Sequence, residues 1–512
     1  MPTLWVPPFT GAPDEDIPMK KSLLTLALAL AAITFSLAVR AQAQTLTTLY
    51  SFCSQTNCPD GDSLSAPLVQ GTDGNLYGET AFGGTSVGNS SCGSLGCGTI
   101  YKITPQGKLT TIYTFCWSAA SPCPDGDGPQ GGLVLATDGN LYGVTAGGGA
   151  NNYGTVFKIT SAGKLTTLHN FNNTDGWVAE GRGVIQAANG NVYGTTFGGG
   201  ANGEGTIFEM TPSGTFTSLY SFPANCPLCT GPNGLTQGAD GNLYGTTLGG
   251  GVTDNCNAAS TGGTFFQLTP SGTLTTLAVF CRLTGFFPNS PLVLAANGNF
   301  YSTTAGGGES LDADQGTVYE MTPTGSITSL YSFCLQTDCP DGKTPIGIAL
   351  GTDGNFYGTT ELANADYKGT IFEITPAGQL TTLHTFTPTN GNFLGGSDPV
   401  GPMLLHTNGA FYGVTSFGGK HGSGSVFRFA TGLQPFVKMV PTSGAVGTNV
   451  IILGTNLTGA TAVSFNGKSA NFKVISASEI TATVPRGATS GTVTVTTSGG
   501  RKLKSNVTFR VP

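Results

Sequence analysis

One phrase governs what this chain can fold into: Asp or Asn, then Gly-Asn, an apolar residue, Tyr and Gly. It stands at 73–78 (DGNLYG), 138–143 (DGNLYG), 189–194 (NGNVYG), 240–245 (DGNLYG), 297–302 (NGNFYS), 353–358 (DGNFYG) and 408–413 (NGAFYG). Seven copies recur every 51 to 65 residues. That period is too long for one coil of a β-solenoid and suits a four-stranded propeller blade. In the second unit the apolar run 132–136 predicts a first strand. Asp138-Gly139 predicts a tight hairpin of type I′, with positive φ at both central residues. Strands at 140–145, 155–160 and 165–171 follow, with a Gly-rich loop at 146–154 and a turn at 161–163. Apolar residues alternate with Thr or Lys along the strands, the period of two, and no segment after residue 44 reads as a helix.

The ends of the array define how it closes. The seventh unit stops after its third strand, 425–429, while 45–52 (TLTTLYSF) is an extra copy of a fourth strand. An orphan strand at one end and a vacancy at the other predict a ring closed by strand exchange, which removes exposed sheet edges. The expected fold is all-β: a seven-bladed β-propeller closed by an N-terminal strand, followed by an Ig-like β-sandwich.

The repeat phrase, the Gly-rich loop, and the segments Gly154–Thr160 (GTVFKIT) and Gly369–Thr375 (GTIFEIT) resemble the Gloeo/Verruco tandem repeat of secreted bacterial proteins across about residues 45–430. The resemblance implies an exported repeat protein without an assigned reaction. Members often carry C-terminal surface-anchoring signals, whereas this chain ends in Val511-Pro512 with no hydrophobic tail. Residues 431–434 read as a linker. Beyond it, 441–444 (PTSG), 447–457 (GTNVIILGTNL), 463–467 (VSFNG), 480–485 (ITATVP) and 491–497 (GTVTVTT) are short alternating strands at sandwich spacing. They resemble an IPT/TIG domain over 435–512, which implies a spacer or binding unit. With no His, no Cys and Glu479 as its lone carboxylate, this module is not expected to be catalytic.

Composition supports an exported, folded β protein. Glycine, at 79 of 512 residues, is about 15%, twice the roughly 7% of average proteins. Charged residues make up 10%, and the net charge is −7. No Lys/Arg-rich stretch exists to neutralise phosphates, so nucleic acid is not an expected partner. Met19-Lys20-Lys21, the apolar run 22–39 and Ala41-Gln42-Ala43 read as a signal peptide over 19–43. Residues 1–18 read as a non-native upstream extension. Secretion to the periplasm or cell exterior is expected, with no membrane association after cleavage and a monomeric product.

Twelve cysteines in an exported chain predict six disulfides: Cys53–Cys58, Cys92–Cys97, Cys116–Cys123, Cys226–Cys229, Cys256–Cys281 and Cys334–Cys339. Cys226-Pro-Leu-Cys229 has zinc-ligand spacing, but no second pair or His accompanies it.

The search for chemistry returns little. His169 and His384 replace the Tyr of the fourth-strand phrase, His406 lies in a first strand, and only His421 is on a loop. The 84–88 match to G-x-S-x-G lacks the strand–turn–helix setting of a nucleophile elbow. The GGG runs lack the following helix of a phosphate cradle. Carboxylates recur in the loops joining one unit to the next: Asp60, Asp62, Asp125, Asp127, Asp175, Asp341 and Asp398. Gathered at the channel mouth they would form an oxygen-rich site for Ca²⁺ or a polar ligand. The plainer reading, which the residues favour, is Asp-Gly turn chemistry. No other cofactor and no catalytic residue is expected. The favoured function is a non-catalytic binding or scaffold protein that uses the loop-bearing face on an extracellular glycan or protein. The alternative is a polysaccharide lyase or hydrolase on the same scaffold.

Overall fold

The computed structural model describes residues 44–512, apart from 86–91, 93–94, 118–122, 178–182, 225–230, 252–261, 310–314, 364–368, 389–392 and 394. Residues 1–43, including the expected extension and signal peptide, lie outside the described residues, as do Cys226, Cys229 and Cys256. Two short 3-10 turns, Arg282–Thr284 and Leu457–Gly459, are the only helical segments among the described residues; all other regular structure is antiparallel β.

The repeat units form seven sheets, numbered 1 to 7 in chain order. Sheet 2 shows the plan: Leu141–Gly147, Thr155–Ile159 and Leu165–Asn170 pair in sequence order. Its innermost strand is broken into Asp127–Pro129 and Val134–Leu135, both paired to Leu141–Gly147. The first half of that inner strand falls in a stretch the sequence assigns to a loop. The cause is local: Gly128 takes φ 57° and Pro129 lacks an N–H, so pairing lapses until Val134.

The Asp-Gly-Asn turn also differs from expectation. Only the glycine has positive φ (78° at Gly139), while Asp138 does not. The Ala136 N–H bonds Asn140 O and the Gly139 N–H bonds Ala136 O, so the turn is a longer one with a single left-handed residue rather than type I′. The Asp138 carboxylate accepts from the Asn140 N–H (3.0 Å), the Asn140 side chain (2.8 Å) and the Tyr142 hydroxyl (2.9 Å). One carboxylate thus explains why Asp, Asn and Tyr recur at that spacing. The last glycine of the phrase has its own reason. A Cβ on Gly143 would stand 2.6 Å from the Phe157 ring, so the strand can pack under that ring only without a side chain.

The two ends of the repeat array meet in sheet 7. Thr45–Ser51 pairs antiparallel with Ser425–Ala430, from Thr45↔Ala430 to Ser51↔Ser425, which is the predicted strand exchange. Packing closes the cycle as well. Seven apolar clusters each straddle two neighbouring sheets, and the one joining sheet 7 to sheet 1 contains Phe52, Leu76, Tyr101, Tyr412 and Val426. Phe52 is fully buried against Tyr101, ring centroids 5.0 Å apart; burial of such a ring contributes about 2–3 kcal/mol. Inside each sheet a buried hydroxyl pair repeats, as in Thr145–Thr155 (3.0 Å) and Thr196–Thr206 (3.0 Å). Among the described residues, the cycle of sheets in this propeller scaffold therefore has no open end.

The C-terminal module is two four-stranded sheets over one core of Val437, Met439, Val450, Ile452, Phe465 and Val493. It does not stand off as a spacer: Thr45–Pro512 is one compact unit. Strand Asn449–Leu453 shows why. Val450 and Ile452 face the module core, while Ile451 and Leu453 join the cluster of Leu133, Leu135 and Leu141 from sheet 2.

Candidate functional site

In such a ring the loops alternate between two faces. Connections from first to second and third to fourth strands lie on one side; second-to-third and unit-to-unit connections lie on the other. The module occupies the first side. The Ser478 hydroxyl donates to Thr72 O (2.6 Å), Thr455 to Thr407 O (3.3 Å) and the Asn506 amide to Leu350 O (3.1 Å), all at first-to-second-strand turns. Among the described residues nothing from the module covers the other face, called the open face below. Between them runs a central cavity of about 290 Å³ lined from every sheet, by Pro67, Leu133, Val184, Leu235, Pro291, Ile346 and Pro402 among others.

The open face concentrates exposed apolar side chains. Of the ten large hydrophobic residues exposed among the described residues, eight lie on its loops and strand ends: Phe82, Leu95, Trp117, Trp177, Leu283, Phe287, Leu335 and Phe417. The other two, Val446 and Ile475, are on the module. Four of the eight sit beside or between bonded cysteines: Leu95 between Cys92 and Cys97, Trp117 after Cys116, Leu335 after Cys334, and Leu283 two residues past Cys281. Cys53–Cys58, Cys92–Cys97, Cys116–Cys123 and Cys334–Cys339 are bonded as the sequence predicts. The loops closed by Cys92–Cys97, Cys116–Cys123 and Cys334–Cys339 each hold an exposed apolar side chain, and such constraint lowers the entropy an apolar contact would cost.

Around the cavity mouth, the inner strands of five sheets carry a left-handed residue at their second position: Ser63 (φ 57°), Gly128 (57°), Phe287 (57°), Thr344 (55°) and Asp398 (54°). The N–H groups of Gly128, Phe287 and Thr344 each bond a carbonyl in the preceding unit's Gly-rich loop, on Cys97, Gly262 and Gln315. This stitching between sheets enforces the strained backbone. Phe and β-branched Thr are costly in that region, and Phe287 occupies it while 44% exposed.

The recurrent carboxylates fall into two groups. Asp60, Asp125, Asp175 and Asp341 strap the loop to the preceding strand. Asp60 accepts from the Tyr50 hydroxyl (2.8 Å), Asp125 from Tyr113 (2.8 Å) and Asp341 from Tyr331 (2.8 Å), and Asp175 meets His169 Nε2 (2.9 Å). Tyr50 is pushed up to about 12, by burial first and Asp60 second. His169 stacks on Phe216 at 3.8 Å, in the strand role the sequence assigns it. Asp62, Asp127 and Asp398 instead lie in the inner strands at the mouth. Among the described residues, no three carboxylates bring an oxygen each to one point; the single metal-sized cluster is Cys92, Cys97, Cys116 and Cys123, already paired as disulfides.

Two acids that break the repeat went unread in the sequence. Glu361 ends the second strand of sheet 6, where other units carry Ala, Phe, Leu or Ser. Its carboxyl is raised by burial and then by Asp398, itself raised by burial and holding a buried Oδ1 without a hydrogen-bond partner. Glu79 replaces the Thr or Val of the other units. It is fully buried between sheets 1 and 2, with Oε2 accepting from the Gly132 N–H (2.9 Å) at the cavity wall and Oε1 unpartnered. Burial pushes it up to about 8. The signal for both was the break itself.

Comparison with known proteins supports the repeat. The Gloeobacter/Verrucomicrobia repeat model matches residues 88–293 and 232–474. No curated protein matches the sequence. Among solved structures, virginiamycin B lyase from Staphylococcus aureus is similar at 15% identity and TM-score 0.47, covering 75% of this chain and 99% of the lyase. An ulvan lyase of polysaccharide lyase family PL25 is similar at 10% identity and TM-score 0.43, covering 77% and 92%. The extracellular domain of a hybrid two-component system from B. thetaiotaomicron shows 12% identity and TM-score 0.47, covering 92% and 59%.

Proposed function

This chain belongs to the Gloeobacter/Verrucomicrobia repeat family, and from that premise we propose that it is a secreted, non-catalytic binding protein that holds an extracellular glycan on the open face of a seven-bladed propeller. The observation that carries the reading is the segregation of exposed apolar side chains, eight of ten, onto one face while the module covers the other. Flat rings such as Trp117, Phe287 and Phe417 suit the C–H faces of sugars, and hydroxyl-rich chains suit the carboxylates between them. Residues 19–43 direct export, and 435–512 is an IPT/TIG module of Ig-like fold that closes the ring's second mouth. Ca²⁺ at Asp62, Asp127 or Asp398 would be bound only together with ligand oxygens.

Glycan-array binding with the Trp117→Ala, Phe287→Ala and Phe417→Ala variants tests this. Each central aromatic should weaken binding about tenfold or more. Binding that survives all three, or that selects proteins over glycans, contradicts the proposal. The Glu361–Asp398 pair favours a second reading, a polysaccharide lyase or hydrolase, because two neighbouring acids of raised affinity for protons are elements of acid–base catalysis. Turnover of an array-positive glycan, lost in Glu361→Gln, would replace binding with catalysis.

A further inference from the structure

Strand Lys438–Val440 opens the module and runs along the covered face of the ring. Its neighbours Val437 and Met439 are buried in the module core. Strand alternation therefore turns Lys438 the other way, toward the ring. There its side chain lines two cavities at the junction, of about 170 and 320 Å³. The walls of the larger one are apolar, with Leu68, Ile348, Met403 and Phe436 prominent. Pro67 and Pro402 line both that cavity and the central one, so the two adjoin.

The amine has no counter-charge. No Asp or Glu lines either cavity, and among the described residues no salt bridge or hydrogen bond engages Nζ. The one titratable neighbour whose charge interacts with it is His406. That ring is held neutral: Nδ1 accepts from the Asn408 N–H (3.1 Å) while Nε2 donates to Gly74 O (3.1 Å). Nearby Gln70 is consumed by Thr407, and Gln186 by Thr137 and Gly190. Burial lowers the proton affinity of Lys438 accordingly. Lys438 is only partly exposed; its ammonium gives up part of its water without gaining a partner, which is costly, and charges drawn out of water ordinarily persist when paired.

We propose that Lys438 anchors a binding site for a small organic carboxylate in the cavity between module and ring, the ligand's carboxylate supplying the missing counter-charge. A single ammonium suits a monoanion. Phosphate or sulfate would call for several charged donors or a second cation; no second cation lines the cavities, where Thr442 and Asn506 add only neutral donors. The apolar walls suit a short hydrocarbon tail. This site lies on the covered side and does not depend on the glycan reading of the open face.

The test uses the full chain with butyrate as probe, chloride as control, at constant ionic strength and pH 7. Butyrate should raise the melting temperature by about 1 °C per tenfold rise in concentration beyond its Kd, with little effect below it. Chloride should not. Lys438→Met should lose the butyrate response while melting at the same temperature as the parent or higher, since an unpaired, partly desolvated charge is gone. In parallel, NMR of the ¹³C-dimethylated protein should show the Lys438 amine titrating below ordinary lysines and moving up when butyrate is added. An equal butyrate response in Lys438→Met, an equal response to chloride, or no response in the parent overturns the proposal. Should Lys438→Met fail to fold, the NMR titration of the parent decides alone: an amine unmoved by butyrate refutes the site.

Discussion

The two faces of the ring are built from the same repeat and solve opposite problems. On the covered face the left-handed position of each Asp-Gly-Asn turn is glycine, and the surrounding polar groups bond one another or the module. On the open face the left-handed positions include Phe287, Thr344 and Asp398, apolar rings face solvent, and Asp398 keeps a buried oxygen unpartnered. One face has been relaxed for stability and association within the chain; the other keeps strain and exposed rings that contribute nothing to folding. Such features collect at binding and catalytic sites.

The largest test of that contrast is to uncover the covered face. Leu453 is buried against sheet 2 rather than in the module core. Leu453→Asp should cost about 5 kcal/mol or more, from lost burial and an unpaired buried carboxylate. Calorimetry should then show the module melting separately, where the parent melts as one unit. A single unchanged transition would mean that the docking is not cohesive.

The wall between the faces gives the next effect. Glu79 binds its proton more tightly in the folded chain, at about 8, than an unfolded glutamate at roughly 4.3. Its contribution to stability is therefore full below the unfolded value and falls as pH rises through that window, levelling above 8. The loss is on the order of 4 kcal/mol. Urea unfolding at pH 5 and pH 9 should show that decline in the parent and a flatter profile in Glu79→Gln. Parallel profiles would place the proton elsewhere.

The smallest effect is a matched pair. Gly139→Ala forces a side chain into a left-handed turn of the covered face with open space around it, and should cost about 1 kcal/mol. Phe287→Gly relieves the same backbone strain on the open face and should stabilise by a similar amount, about 1 kcal/mol, while losing the ligand. Equal signs in the two melts would dissolve the contrast.

Much of this was legible in the sequence because it is local. The seven strand sets, the Asp-Gly-Asn turns, the exchange of Thr45–Ser51 and four described disulfides rest on short spacings that repeat. What escaped was set by tertiary contacts. Asp127–Pro129 is too short for a periodic signal, so Asp127 reads as a loop residue although it lies at the mouth. The straps from Asp60 and Asp125 to Tyr look, in one dimension, like the inner acids two residues away, Asp62 and Asp127. The docked module had a signal that alternation obscured. Val450-Ile451-Ile452-Leu453 is apolar on both faces, as a strand buried on both sides must be. Glu79 and Glu361 were visible only as interruptions of a pattern whose meaning needed neighbours from the next sheet.

Hydroxyl-radical footprinting of the full chain with an array-selected glycan tests the division of faces most directly. The account predicts protection of Trp117, Phe287 and Phe417, with Val446 and Ile475 on the module unchanged. Protection confined to the module, with the open-face rings as reactive as in the free protein, would contradict it.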